Sequence, residues 1–376
     1  MKNKLKTLFY LAGLAVGLLF LKSCIEPFAP PEITNARQFL VVDGSLNTSA
    51  GASSQIRLSR TQNVYDEGTP RAELRAKVTV EGDKGSRFTF VEAENGIYHL
   101  ASAKYNVTEK FRLRIKTAGG QEYLSTFVPV VKTPPIDSLT YSVNPGKEGV
   151  RVFVNTHDAT NKTRFYRWSF DETWEYYMPL YSGFEVVGKE IVYRSENINT
   201  CWSAAKASTI VLGSTVKLTK DIVKDQVVTY VPVSSGKLRV KYSILVKQYG
   251  LTQEEYEYWN NLSKTTERTG SLFDPQPAEI TGNITCLSDP TELAFGFFGA
   301  STQEEQRLFV AERLGRGPTC EPTDTLSSSE VFESIDLILS EYIPEGSFVP
   351  EYIMGTTNCT DCRLQGGTIK RPSFWK

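Results

Sequence analysis

Histidine is nearly absent from this chain: His99 and His157 are the only two in 376 residues. A serine or cysteine nucleophile needs a base that is itself held by a third group. His99 lies in an alternating stretch after a turn, and His157 precedes Asp158 in a loop rich in Thr, Asp and Asn. Both read as ordinary polar residues. No G-x-S-x-G, H-E-x-x-H or phosphate-loop pattern occurs beyond the first two dozen residues. No catalytic residue and no cofactor is therefore expected. A basic surplus is lacking too: 42 Lys and Arg stand against 43 Asp and Glu, a formal net charge of -1. That leaves no electrostatic footprint for nucleic acid. Past the first two dozen residues, no run approaches the ~20 apolar residues of a membrane-spanning helix.

Cysteines are few and unevenly placed. Besides Cys24 they are Cys201, Cys286, Cys320, Cys359 and Cys362. A zinc site at Cys359-Thr-Asp-Cys362 would need a second pair of ligands, which two scattered histidines do not supply. No strand-to-helix context supports thioredoxin-like chemistry there either. No metal is expected. Four of the five remaining cysteines follow residue 285, so stapled C-terminal loops are expected, with Cys320 bridged to either Cys359 or Cys362. An odd count leaves at least one thiol free or paired outside the chain.

What is present begins at the N-terminus. Lys2, Lys4 and Lys6 precede a largely apolar, uncharged run from Leu8 to Leu21. That pattern has the length and polarity of a secretory signal, and it is too short for a confident membrane span. The junction Leu21-Lys22-Ser23-Cys24 resembles the lipobox of bacterial lipoproteins, with Lys22 in place of the commoner Gly or Ala. Residues 1–23 are thus expected to be removed and Cys24 to carry a diacylglycerol. More than one acyl chain anchors durably, whereas a single chain binds marginally. An ordinary secreted protein with a chance cysteine is the alternative.

Charged residues at 23% and hydrophobic residues at 40% describe a folded body rather than a disordered one. The charge is uneven. Residues 271–360 hold fifteen Asp and Glu against three Arg and no Lys. This acidic region suits a basic partner or a cation, or it is simply a solvated face.

Residues 24–36, with three prolines, read as an extended tether. Short alternating stretches follow, among them residues 39–43, 55–59, 76–80, 87–91, 97–100 and 110–116, separated by Gly-rich turns. Their spacing predicts an immunoglobulin-like sandwich over residues 37–133. Pro134-Pro135 marks a boundary. A larger β domain is expected over residues 136–376, with strands near 149–155, 164–172, 227–233, 237–249, 293–299 and 307–311. One amphipathic helix is expected at 251–264, where Thr252 and Glu255 are spaced as a capping box. Residues 314–358 read as loop-rich, with at most short helical pieces.

Aromatics make up 11% of the chain, and one segment carries a dense set of them. Trp168, Trp174, Tyr176 and Tyr177 flank Asp171, Glu172 and Glu175, and form a candidate recognition surface. Paired carboxylates with aromatic walls also occur in glycoside hydrolases. Core and rim packing of a β domain is the plainer account. The helix segment Glu254–Trp259 could be a docking ridge, or it could simply pack Tyr258 and Trp259 onto a sheet.

Several motifs together resemble one family. They are Ser23-Cys24-Ile25-Glu26-Pro27, Leu40-Val41-Val42-Asp43-Gly44, the run Tyr242–Tyr249, Tyr256–Trp259, Gly270–Pro277, Gly282–Ile284, Cys359–Arg363, Gly366-Gly367 and Pro372–Trp375. The chain resembles Bacteroidetes outer-membrane lipoproteins built on a domain of unknown function, over nearly its whole length. The resemblance carries no catalytic residues. It implies placement at the outer membrane and genes near TonB-dependent receptors, hence an accessory ligand-binding or docking role beside such a receptor. A carbohydrate-active or other hydrolytic enzyme, and a surface structural or adhesive protein, are the competing readings.

Overall fold

The computed structural model describes residues 37–63, 66, 68–267 and 280–376. The signal segment, Cys24, the tether and the motif at 270–277 lie outside them. Two units divide the chain: Met1–Gln38 with Asn63–Asp66, and Phe39–Gln62 with Glu67–Lys376. In the first, Asp66 accepts the Asn63 backbone N–H at 3.1 Å. The second carries every sheet described below.

The fold is mostly β, in several sheets. Two of them share the first core. One orders the strands Ala294–Phe295, Leu40–Gly44, Ser54–Arg60, Ile97–Leu100 and Val91–Glu94. The other orders Ile284–Cys286, Glu122–Ser125, Lys110–Lys116, Lys77–Gly82 and Arg87–Thr89. Alternation builds this core. In Lys110–Lys116 the residues Phe111, Leu113 and Ile115 point inward between Arg and Lys, because successive side chains leave opposite faces of a strand. Residues 284–301 return to these sheets from beyond Pro134-Pro135. Ala294 pairs in parallel with Leu40, and Ile284 pairs antiparallel with Ser125.

A second core lies between two further sheets. Ile136–Val143, Gly149–His157 and Ile222–Pro232 form one. The other runs Thr200–Lys206, Phe165–Tyr177, Lys241–Gly250, Gln303–Val310, with Val211–Ser214 also paired to Phe165–Tyr177. Val150, Val152, Val154, Tyr166, Trp168, Tyr242, Ile244 and Val246 fill the space between them.

The helix spans Gln253–Glu267. The Thr252 hydroxyl accepts the Glu255 N–H at 3.2 Å, which is half of the expected capping box. The Glu255 side chain turns inward instead: a Cβ on Gly299 would lie 2.5 Å from Glu255 Oε2. Glycine at 299 is what makes room for that carboxylate. Among the described residues no helix is long and apolar enough to cross a membrane.

The region expected to be loop-rich contains a three-stranded sheet, Thr325–Ser327, Glu351–Gly355, Leu337–Tyr342. Beside it lies the hairpin Phe184–Val187/Glu190–Tyr193. Ser182 Oγ donates to the Ile338 carbonyl at 2.7 Å, and the Leu180 N–H donates to the Cys359 carbonyl at 3.1 Å. A small cluster of Val331, Ile338, Tyr352 and Met354 is its core. These strands are short and lack clean alternation, so periodicity alone did not separate them from loops.

Candidate functional site

The strand Phe165–Tyr177 decides where its aromatics go. Tyr166, Trp168 and Phe170 fall on the face turned into the second core, and Trp168 is 0% exposed. Trp174 packs half-buried against the same core, with Lys237 Nζ 4.9 Å from its ring centroid. Tyr176 donates its hydroxyl to the Cys362 carbonyl at 2.7 Å. Tyr177 faces the other way and is exposed. Trp168, Trp174, Tyr176 and Tyr177 therefore do not form one recognition surface. Three share the inner face and only Tyr177 is open to solvent, because the period of a strand is two.

The neighbouring acids are all engaged. Lys247 Nζ meets Asp171 Oδ2 at 2.7 Å. Glu172 accepts from Lys237 Nζ at 2.6 Å and from the Tyr242 hydroxyl at 2.8 Å. Glu175 accepts the Trp375 indole N–H at 3.0 Å. His157 pairs with Asp137 at 2.7 Å on the surface, and that hydrogen bond holds its pKa above the usual histidine value.

The cysteines form two bridges, Cys201–Cys362 and Cys320–Cys359, with Cα separations of 5.7 and 6.1 Å. Cys320 thus takes Cys359 of the two expected partners. Cys362 takes Cys201, a pairing that sequence spacing did not indicate. Cys286 is a buried free thiol. The lipidation residue Cys24 lies outside the described residues. Among the described residues no group of acids, cysteines and histidines is placed to hold a metal.

The opposite face of the same sheet floors a groove of about 730 Å³. Its floor is set by register: Arg167 lies beside Tyr249 and Tyr249 beside Gln303, while Lys247 lies beside Glu305. Its rim is the small, polar loop from Gly44 to Gln55. Asn47 Nδ2 donates to Gln303 Oε1 at 3.4 Å, and Ser49 Oγ accepts the Gln303 N–H at 2.9 Å, tying rim to floor.

Arg167 is the unusual member. Its guanidinium carbon lies 4.8 Å from the Tyr249 ring centroid and 4.3 Å from that of Trp259 on the helix. Both distances are within cation–π range. Its buried Nε meets no hydrogen-bond acceptor. Glu255 supplies an opposing charge; burial pushes its pKa up to about 7, which Arg167 only partly offsets. Lys247 is different. Burial alone would lower its pKa, but the bond to Asp171 wins and raises it. The alternation of Phe165–Tyr177 placed Arg167 on the outer face; which residues of distant strands joined it was not readable.

The second exposed feature is the stapled C-terminal module. Phe348 is 100% and Ile335 88% exposed, and Tyr193, Val187, Ile343 and Val349 are also largely open to water. Residues 321–361 of this module contain nine Asp and Glu and neither Lys nor Arg.

No curated protein matches the chain. Among solved structures, it is similar to a "Biofilm associated protein - B domain" at 10% identity, covering 73% of this chain and 87% of that one, with a TM-score of 0.16. It is also similar to a "Biofilm associated protein - BSP domain" at 9% identity, covering 75% and 62%, with a TM-score of 0.15. Likeness at those TM-scores carries no argument about function. The family described as "Domain of unknown function (DUF4249)" matches residues 25–307. That match covers most of the chain, which therefore belongs to the DUF4249 family.

Proposed function

We propose that this protein is a non-catalytic surface protein with an adhesive or docking role, tethered at the outer membrane through a lipidated Cys24. One observation carries the docking part of the reading: large apolar side chains stand exposed on a small module that Cys201–Cys362 fastens to the strand Thr200–Lys206 and Cys320–Cys359 staples internally. Exposed apolar groups cost hydration free energy unless a partner covers them. Conformational restraint by the bridges lowers the entropy that docking would otherwise lose. The partner's chemistry follows from charge. A stretch with nine acids and no base fits a surface bearing Lys and Arg around apolar contacts.

The experiment is photo-crosslinking in intact cells from a probe placed at position 348. A specific adduct with another surface protein, lost when Ile335 and Ile343 are both changed to Ser with the probe still at position 348, is the expected result. A chain that remains uncrosslinked overturns the reading. Recovery of a barrel receptor as the adduct selects the accessory role beside a TonB-dependent receptor, the second reading, which rests on the family resemblance. Lipidation is tested separately: an acyl analogue should label the native chain and not Cys24→Ala.

A further inference from the structure

We propose that the groove under the Gly44–Gln55 loop is a binding site for an acidic saccharide, with Arg167 taking the sugar carboxylate. The inference stands apart from the docking reading, since the groove and the stapled module are built from different residues.

Arg167 lines the groove, and Tyr249 and Trp259 both lie within cation–π distance of its guanidinium. The terminal N–H groups of a guanidinium are the ones that meet a carboxylate in a two-pronged pair. Among the described residues the buried Arg167 Nε has no hydrogen-bond partner. The other cation of the floor, Lys247, is already bound to Asp171. A half-buried cation beside two rings, with the buried Glu255 as its opposing carboxylate, can take an anion that arrives from outside. Glu255 neutralises it incompletely, being buried and held near pKa 7.

The rest of the lining selects the anion's scaffold. Ser53 and Gln55 add a hydroxyl and an amide that match the hydroxyls of a sugar, while Asn47, Ser49 and Gln303 bond one another at the rim. Apolar side chains of a peptide would find little to pack against. Glu305 stands beside Lys247 on the floor and repels closely spaced negative charge. About 730 Å³ lies within the range of sites that hold small ligands.

The test is calorimetric titration of the full chain with tetragalacturonate and with its methyl ester, which keeps the sugar and removes the charge. The acid should bind, and the ester should bind at least tenfold more weakly. Arg167→Gln should lose at least tenfold in affinity for the acid and so erase most of its advantage over the ester, and Arg167→Lys should fall between. If Arg167 variants do not fold, Ser53→Trp on the exposed loop blocks the groove from outside and should abolish binding. Equal affinity for acid and ester overturns the proposal. So does full binding by Arg167→Gln or Ser53→Trp, equal binding of a tetraglutamate peptide, or no binding of the acid at millimolar concentration.

Discussion

Trp168 donates its indole N–H to Gln248 Oε1 at 2.8 Å, and both side chains are fully buried. Gln248 in turn donates to the Pro134 carbonyl at 2.8 Å and to Thr156 Oγ1 at 3.0 Å. The pair closes a polar network inside the second core. Buried amides of this kind stabilise only when every partner is present.

Trp168→Phe keeps much of the ring but strands the Gln248 carbonyl oxygen. A loss of about 1–3 kcal/mol is expected from an unpaired buried acceptor. Trp168→Ala should cost roughly 3–5 kcal/mol through the cavity it leaves. Urea unfolding followed by circular dichroism measures both. An unshifted midpoint for Trp168→Ala would contradict a core role for this residue.

Glu255 makes stability depend on pH. In the unfolded chain a glutamate titrates near ~4.3, whereas burial pushes Glu255 to about 7 in the folded protein. The folded state therefore holds the proton more tightly. Its contribution to stability is greatest below about pH 4 and falls as pH rises toward 7, by on the order of 3 kcal/mol. Glu255→Gln should flatten that slope and raise the unfolding midpoint at pH 8. Parallel pH curves for the two proteins would refute the assignment.

The two bridges should not be equivalent. Cys201–Cys362 spans 161 residues and Cys320–Cys359 spans 39. Loop-closure entropy gives ceilings of about 5 and about 4 kcal/mol respectively. Under mild reduction, amide exchange should quicken first in residues 178–200 and 320–365, while the Val150–Val154 stretch stays protected. Uniform quickening across the chain would show that the module is not a separately stapled element.

Phe348 and Ile335 should be silent in stability. They are 100% and 88% exposed, so changing each to Ser should move the unfolding free energy by less than about 0.5 kcal/mol. A larger loss, measured by thermal unfolding of the isolated protein, would mean that these side chains pack within the chain rather than wait for a partner.

Local pattern carried much of the fold. Lys110–Lys116 alternates cleanly and is a strand over those same residues. The helix begins next to Thr252, whose hydroxyl caps it. The hairpin at 184–193 and the sheet at 325–355 are not legible in the sequence, since their strands run only three to six residues and lack a sustained period. At the candidate sites, Trp168 has aromatic company in the sequence, but its even position in the strand places it with Tyr166 and Phe170. Arg167 carries no signal in the sequence, because one arginine in an alternating strand is ordinary until its neighbours are known.

The sequence by itself determined which residues alternate, where the helix is capped, and that the body is sheet-built with its acids crowded toward the C-terminal part. Those are properties of neighbours along the chain, fixed by backbone period and side-chain polarity. Only the tertiary structure decided that Cys201 meets Cys362 and that Ala294 lies beside Leu40. It also decided that Arg167 comes to lie beside Tyr249 and Trp259. Such pairings join residues up to some 250 positions apart. They are set by which apolar faces bury one another, and no local period records that choice.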